Sequence, residues 1–289
     1  MKNKILLLIG NNREKYNKLI ESLSDENTTI TACYYKDLAF CIDGDNTYVR
    51  CFSTGEDIKE FSKIIVLATS AFHLQNYIFS ALACYCRRHN IVMMDDSFSN
   101  IDGKLYALWR FWENKIPVAK TVFGPTEFII QKFTSFGSPC VLKSVQGTKG
   151  NDNYLVQSEQ DIRNIIEQNK DVNFILQNFI PNEGDWRIIL TNFEPKLAIY
   201  RSARGKDFRN NTSLGGEATL VPLEKVDPEI IQLAVFAAKA LNIKIAGADI
   251  LVDKNTHELT VLEVNRTPQL ATGSFVEQKT KMLKQLILE

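Results

Sequence analysis

The first hundred residues alternate between short apolar runs and stretches whose apolar positions have helical spacing. A short continuous apolar run is typical of a parallel strand that is buried on both faces. Strands that alternate with helices predict an open α/β sheet. No G-x-G-x-x-G follows any of the runs, which argues against a Rossmann-type dinucleotide site. The predicted strands are KILLLIG (4–10), TITACYY (29–35), KIIVLAT (63–69) and IVMMDD (91–96), with short β-like pieces around a turn in 36–55.

The rest of the chain predicts helices and strands in mixed order. One helix has a clear start, because Asp227 can cap it and Pro228 fits its first turn. Helices are predicted over 104–116, 124–133, 227–243 and 275–288, and strands over 139–145, 174–180, 186–191, 196–204 and 218–223.

Residues 248–265, ADILVDKNTHELTVLEVN, predict a β-hairpin, since two β-rich runs flank a polar tip. With a tip near Thr256, Asp249 and Glu263 fall opposite each other, and Asn265 shares the face of Glu263 because strand side chains alternate. Two carboxylates this close repel unless a cation neutralises them, and Mg²⁺ takes oxygen ligands of this kind. Without that cation we expect the site to be electrostatically strained. The alternative is that Asp249 ends a strand and Glu263 is solvated.

The composition is ordinary for a soluble globular protein with two or three packed units. The 289 residues carry 34 Lys plus Arg and 34 Asp plus Glu, whereas a protein that binds bulk nucleic acid or a membrane surface is more often basic. No apolar run approaches the length of a membrane span, and 5–9 is too short for a signal-peptide core. We therefore expect a cytoplasmic protein without nucleic-acid or membrane partners, whose six cysteines are free and largely packed.

A lysine in an apolar strand and a glycine-containing loop predict a phosphate site. Lys143 lies inside the strand 139–145, and the loop follows at once. A buried lysine needs a partner or a route to solvent, and glycines let backbone N–H groups approach a phosphate closely. The alternative is an ordinary hairpin loop with a lysine at the end of a strand. The loop residues are Gly147, Thr148, Lys149 and Gly150.

Two further segments carry polar groups that suit a nucleotide. The strand 174–180 runs into PNEGD, where free backbone groups could bond an adenine edge and Asp185 a ribose hydroxyl. The charge-dense loop 204–217 could supply cations to a transferring phosphoryl group. Taken alone, the first is an ordinary strand-to-loop transition and the second a solvated loop. The charged residues in and before this loop are Arg201, Arg204, Lys206, Asp207 and Arg209.

Six motifs, taken in order, resemble those of the ATP-grasp superfamily, and most closely its RimK-type peptide–amino acid ligases. The resemblance covers nearly the whole chain and is strongest over 104–270. The combination of D-F-R-x-N, G-G, D-(I/V)-L and E-V-N is too specific to arise easily by accident. The matching segments are DGKLY (102–106), VLKSVQGTKG (141–150), FILQNFI with GDWR (174–187), RGKDFRNN followed by GG (204–216), AGADILV (246–252) and LEVNRTPQL (262–270).

The resemblance implies an ATP-grasp fold of mixed α/β and α+β class. A Rossmann-like N-terminal domain would span 1–103, a central subdomain 104–180 and a C-terminal subdomain 181–289, with ATP between the last two. The implied cofactors are ATP and two Mg²⁺ ions, with Mn²⁺ as an alternative metal.

The resemblance also assigns roles to residues. Lys104 and Lys143 would contact the ATP phosphates together with the loop 147–150, and Asp185 would contact the ribose. The linker-strand residues expected around adenine are Gln177, Asn178, Phe179 and Ile180. The expected catalytic residues are Arg187, Arg209 and Asn211, the last two at the γ-phosphate and Asn211 also near a metal. The expected metal ligands are Asp249, Glu263 and Asn265.

In this family a carboxylate attacks the γ-phosphate to give an acylphosphate and ADP, and an amine then displaces phosphate to give an amide. No protein nucleophile is needed, since positioning and cations carry the chemistry. The resemblance therefore implies a carboxylate–amine ligase that acts on a peptide, a protein tail or an amino acid. An ATP-grasp kinase and an ATP-binding protein without turnover are the alternatives, and a homo-oligomeric state is left open.

Two positions depart from the family pattern. The linker strand has Asn178 where a glutamate is usual, and since the adenine contacts there are largely backbone, we expect ATP binding to survive. The third strand of the N-terminal domain runs into the segment 68–71, ATSA, where many relatives have a substrate-facing arginine. The carboxylate pocket is therefore expected to differ from theirs.

Overall fold

A computed structural model describes residues 3–10, 12–42, 46–67, 72–96, 103–145, 153–203, 216–266 and 268–288. Three main sheets and one small hairpin account for its strands. None of its helices, within these residues, combines the length and the apolar character needed to cross a membrane.

The N-terminal sheet is parallel and confirms the predicted α/β arrangement. Its order is β2-β1-β5-β6, and α1 and α2 connect its strands. Alternate residues of the central strand pack into two different cores, which explains its continuous apolar run: Leu6 and Leu8 face one core, and Ile5 and Leu7 the other. The elements are β1 (Asn3–Ile9), α1 (Glu14–Leu23), β2 (Thr28–Tyr34), β5 (Lys63–Val66), α2 (Phe72–Arg88) and β6 (Val92–Met93).

An antiparallel hairpin, β3 (Leu38–Cys41) and β4 (Tyr48–Cys51), interrupts this unit. It brings Cys51 within a Cα–Cα distance of 6.2 Å of Cys33 on β2, and the two form a disulfide. The expectation that all six cysteines are free is therefore wrong for this pair. It rested on an expected reducing compartment and on the absence of a disulfide-framework spacing in the sequence, and neither shows which buried cysteines the strands bring together.

The central sheet is antiparallel, with the order β7-β10-β8-β9. Side chains on one of its faces pack against α4 and α5, and the opposite face carries Lys143 and Gln177. The sequence reading did not include α5, although Ser158 and Asp161 form a capping box at its start. The elements are β7 (Thr121–Phe123), α4 (Thr126–Phe136), β8 (Cys140–Ser144), β9 (Asn153–Val156), α5 (Glu159–Gln168) and β10 (Phe174–Asn178). The preceding helix α3 (Lys104–Glu113) packs instead in the core of the third sheet.

The third sheet is also antiparallel, with the order β13-β12-β11-β14-β15. Helix α6 covers one face, and its predicted cap is confirmed because the Asp227 carboxylate accepts from the Glu229 N–H at 2.9 Å. The opposite face is apolar at one end and charged at the other. The elements are β11 (Asp185–Thr191), β12 (Glu194–Ser202), β13 (Glu217–Val221), α6 (Pro228–Ala240), β14 (Ile245–Val252) and β15 (Leu259–Asn265).

The last helix, α7 (Val276–Leu288), shares a core with the N-terminal sheet rather than with α6. Leu283 and Leu286 pack in the cluster that contains Ile5, and the apolar end of the third sheet contributes Ile189. The Lys63 ammonium also donates to the carbonyl of Ile287 at 2.8 Å. The division at residues 103 and 180 stays a prediction, and this packing ties the two ends of the chain together.

Candidate active site

The β14–β15 hairpin has the predicted pairing at Asp249 and Glu263, although its register shifts between Asp249 and Ile250. Asp249 pairs with Glu263, and Gly247 pairs with Asn265. The amide Nδ2 of Asn265 donates to Glu263 Oε1 at 2.8 Å and lies 3.5 Å from Asp249 Oδ2. The expected convergence of three polar side chains is therefore confirmed, whereas metal binding by them stays a prediction.

A chain of four alternating charges crosses the third sheet beside this hairpin. Arg187 donates to both carboxylate oxygens of Asp249 at 2.8 and 2.7 Å. Arg201 donates to both oxygens of Asp185 at 2.7 and 2.6 Å, and its Nη2 lies 3.1 Å from Asp249 Oδ2. Asp185, Arg201 and Asp249 are each no more than 3% exposed. Arg201 therefore lies in the strand predicted before the charge-dense loop, and its charge is already paired within the sheet.

These arginines overturn the expectation that the metal-free site is strained. Burial alone would raise the pKa of Asp249, but Arg187 and Arg201 outweigh it and hold that pKa below its usual value. Two cations, one on the adjacent strand β11 and one on β12 beyond it, thus already neutralise the carboxylate. The sequence could not reveal them, because the pairing of β11 with β14 is set by the tertiary fold.

Asp185, expected at the ribose, has a different partner in this structure. Both of its oxygens accept from Arg201. Burial raises the pKa of Asp185 to about 6, although Arg201 acts in the opposite direction. A ribose contact stays a prediction, and it would require this ion pair to open or to share an oxygen.

Lys104 and Lys143 lie where the central sheet approaches the hairpin. The Lys104 ammonium donates to the carbonyl of Ser144, next to Lys143, at 2.6 Å. Burial lowers the pKa of Lys143 to about 8, Glu263 counteracts this, and the charge of Lys104 adds to it. The structure thus brings together two of the predicted phosphate lysines and a predicted metal ligand.

The linker strand β10 presents its side chains to two sides. Gln177 pairs with Val141, on the face of Lys143, and donates to Thr121 Oγ1 at 2.8 Å. Asn178 pairs with Cys140, which lies on the opposite face of the sheet. The side chain that differs from the usual glutamate therefore points away from Lys143.

Two backbone donors expected to be free in this strand are already engaged. The N–H of Asn178 donates to Lys120 O at 3.2 Å, and the N–H of Phe179 donates to Pro139 O at 3.4 Å. Adenine recognition there stays a prediction, and it must use other groups of the segment, such as the Asn178 carbonyl or the N–H of Ile180.

Several predicted residues fall outside the described part of the chain. The segment 68–71, where many relatives have a substrate-facing arginine, lies outside it too. The site residues concerned are Gly147, Thr148, Lys149, Gly150, Arg209 and Asn211.

The donor set of the hairpin fits Mg²⁺, with two adjustments. Two carboxylates and one amide oxygen are ligands that this ion accepts. Asn265 would have to turn its amide so that Oδ1 replaces Nδ2, and Asp249 would have to release an oxygen from an arginine. Among the described residues there is no cluster of three His, Cys, Asp or Glu side chains that could hold a metal, so the amide of Asn265 would be part of the site.

Sequence reasoning missed one buried cation, Lys279 on α7. It occupies the apolar stripe of that helix together with Met282, Leu283 and Leu286, at the spacing i, i+3, i+4 and i+7. A lysine within such a stripe was the signal that could have found it. Its contacts lie next to the site and are described below.

A family model described as the RimK-like ATP-grasp domain matches residues 111–288. The chain belongs to the RimK-like ATP-grasp family. The predicted fold class is thereby confirmed, and solved structures agree with it. The ATP-grasp ligase PsnB, in a structure complexed with a minimal precursor, aligns to this RimK-like chain with a TM-score of 0.73 at 14% identity, over 99% of both chains.

Two curated relatives of this RimK-like chain are each described as a probable alpha-L-glutamate ligase. That of Hahella chejuensis, numbered 1, is 32% identical over 165 residues, which are 51% of this chain and 53% of the relative. That of Cellvibrio japonicus is 25% identical over 278 residues, 92% of this chain and 88% of the relative. In the first, more similar alignment, the match spans about half the length of either protein.

Proposed function

We propose that this chain is an ATP- and Mg²⁺-dependent carboxylate–amine ligase that forms an amide or peptide bond through an acylphosphate. The observation that carries the proposal is the meeting of two sheets at one site. The central sheet brings Lys143, and the third sheet brings Glu263, close enough for the carboxylate to affect the pKa of the lysine. Membership of the RimK-like family supports the same reading.

The residues divide into two groups by what they can hold. Lys104 and Lys143 supply positive charge for the phosphates of ATP. Asp249, Glu263 and Asn265 would hold Mg²⁺, which when bound neutralises phosphate charge in the transition state. Arg187 adds a guanidinium that Asp249 keeps oriented by two hydrogen bonds.

The proposed reaction has two steps. An oxygen of the substrate carboxylate attacks the γ-phosphorus, and the bond from that phosphorus to the β–γ bridging oxygen breaks, which gives an acylphosphate and ADP. The amine nitrogen then attacks the acyl carbon, phosphate leaves with the C–O bonding pair, and the amine loses a proton. The protein supplies orientation and cations rather than a nucleophile.

The finer assignments belong to the same proposal. Two metal ions, Mn²⁺ as a substitute, Arg209 and Asn211 at the γ-phosphate, and the subdomain boundaries follow from the resemblance. The names of the relatives, probable alpha-L-glutamate ligases, make L-glutamate the first amine substrate to test. The carboxylate would come from a peptide, a protein tail or an amino acid, and the protein would act in the cytoplasm.

Product analysis tests the proposal. The protein is incubated with Mg–ATP, glutamate and a panel of peptide and amino-acid carboxylates, and nucleotide products are separated. We expect ADP and phosphate in a substrate-dependent manner, and a hydroxamate when hydroxylamine replaces the amine. AMP with pyrophosphate contradicts the acylphosphate route, and a stable phosphoester without hydroxamate identifies a kinase.

A further inference from the structure

The ammonium of Lys279 connects the first turn of α7 to the loop before it. It donates to the carbonyl of Gln269 at 3.1 Å and to the carbonyl of Thr272 at 3.0 Å. The backbone N–H of Lys279 donates to the carbonyl of Phe275 at 3.1 Å. The side chain is only 4% exposed, so it bridges the loop 268–275 from inside the protein.

The backbone of this loop has unfavourable dihedral angles, which contacts with the surrounding structure must stabilise. Gln269 and Phe275 have φ values of 55° and 60°, in the left-handed region that residues with a Cβ rarely adopt. Such conformations persist where surrounding contacts determine them. The Gln269 carbonyl accepts from both Lys279 and the Thr272 N–H, so the lysine acts at the start of the strained segment.

The loop also touches the candidate active site. It begins three residues after Asn265, and Pro268 packs on Gly247, the residue paired with Asn265. A Cβ on Gly247 would lie 2.6 Å from Pro268 Cβ and 3.8 Å from Arg187 Cδ. The missing side chain therefore lets the loop approach the sheet beside Arg187.

A lysine is a costly choice for this bridge. Burial, reinforced by the charge of Arg187, lowers the pKa of Lys279 to about 8. A neutral donor could bond the same carbonyls without bringing a second cation close to Arg187. Bridging the loop does not require a charge. The charge of Lys279 also adds positive potential beside Arg187, the arginine that binds Asp249.

We propose that Lys279 is a positioning residue, which fixes the loop 268–275 and so holds Asn265 and Arg187 in the geometry that metal–nucleotide binding requires. The assignment rests on the proposed function, because it gives Asn265 a role at the metal. Lys279 itself is not expected to touch the nucleotide.

The test compares Lys279→Met and Lys279→Gln with Lys281→Met. Lys281 lies on the same helix, is well exposed and pairs only with Glu277 at 3.0 Å among the ion pairs of the described residues. Amide hydrogen exchange over 268–275 reports the loop. ADP binding, titrated without and with Mg²⁺, reports the site.

We expect Lys279→Met to raise loop exchange at least tenfold and to weaken the Mg²⁺-dependent part of ADP binding about tenfold, with Mg²⁺-free ADP binding unchanged. Lys279→Gln, which keeps a donor, should fall between it and the wild type, and it replaces Lys279→Met if that variant does not fold. Lys281→Met should match the wild type.

Faster loop exchange with unchanged Mg²⁺ dependence would reduce Lys279 to a structural residue and overturn the proposal. Unchanged loop exchange would overturn it as well. A wild type that binds no Mg–ADP at all contradicts the proposed function, and the positioning role then fails with it; this outcome is recognisable because it does not depend on any variant.

Discussion

The two arginines of the third sheet and the two lysines near the central sheet carry the same charge in different ways. Arg187 and Arg201 each make paired hydrogen bonds to a buried carboxylate. Lys104 donates to a backbone carbonyl, and burial depresses the pKa of Lys143. The pKa of Arg201 moves the other way: burial opposes its charge, but Asp249 and Asp185 raise the pKa above its usual value.

The paired arginines therefore stabilise the protein without a ligand, whereas the partly paired lysines are suited to bind one. The arginine charges are balanced within the fold, so they stabilise the sheet before any ligand arrives. The charge of Lys143 is only partly balanced, so an anion such as a triphosphate gains more from it. A metal at the hairpin, in contrast, must take a carboxylate oxygen away from an arginine.

The largest effect is expected when the carboxylate partner of the two arginines is removed. Asp249→Ala leaves the buried guanidinium of Arg201 and the partly exposed one of Arg187 without this carboxylate, and breaking a buried pair costs about 3–5 kcal/mol. We expect a loss of that order in the free energy of unfolding by urea, together with loss of ADP formation.

The exposed pair of Lys196 with Glu194 provides the control for this variant. Its ions lie 2.7 Å apart, but Glu194 is 69% exposed at the side chain. Glu194→Ala should cost less than about 1 kcal/mol. If Asp249→Ala is no more destabilising than Glu194→Ala, the buried charge chain does not stabilise the sheet.

An intermediate effect is expected when a lysine of the site is replaced, and it concerns ATP binding rather than the stability of the fold. Lys143→Met removes a desolvated charge, so the unliganded protein should melt at the wild-type temperature or above it. Binding of ATP, measured by calorimetry, should weaken about 10- to 100-fold, which corresponds to about 1.4–2.8 kcal/mol. A variant that melts well below the wild type would show that Lys143 is a structural ion.

The smallest effect, taken per pH unit, is a dependence of the free energy of unfolding on pH. An unfolded lysine keeps its proton up to its ordinary pKa of 10.5, whereas Lys143 and Lys279 release theirs near 8 in the folded protein. Between these values the unfolded chain binds more protons, so the free energy of unfolding rises with pH.

Denaturation of the unliganded wild type and of Lys143→Met at pH 7.5, 9 and 10 checks this sign. The wild type should gain stability relative to the variant as the pH rises through this window, by up to about 1.4 kcal/mol per pH unit. A constant difference would mean that the pKa of Lys143 is not lowered.

The sequence predicted local geometry well and long-range partners poorly. The pairing of Asp249 with Glu263 was predicted from strand alternation around one turn, and the structure has this pair together with a register shift between Asp249 and Ile250 that alternation does not predict. The arginine partners of Asp249 come from β11 and β12, about 50–60 residues away, and alternation within one strand cannot show which strand lies beside it.

The same reason explains the other differences. The disulfide between Cys33 and Cys51 depends on how the β3–β4 hairpin packs on β2. The packing of α7 in the N-terminal core depends on contacts between residues at opposite ends of the sequence. The capping box of α5, by contrast, was a local signal that the sequence contained.

The central claim is that Mg–ATP binds between the lysines and the hairpin carboxylates, and Glu263 tests it most directly. This half-buried residue accepts from Asn265 and lies outside the arginine chain, so Glu263→Ala should leave the unliganded protein close to wild-type stability. Thermal or urea unfolding of both proteins is measured with and without Mg–ATP. We predict a gain of about 2.7 kcal/mol for the wild type at a hundredfold excess over its dissociation constant, and a much smaller gain for Glu263→Ala at the same concentration. Equal gains in the two proteins would contradict the claim.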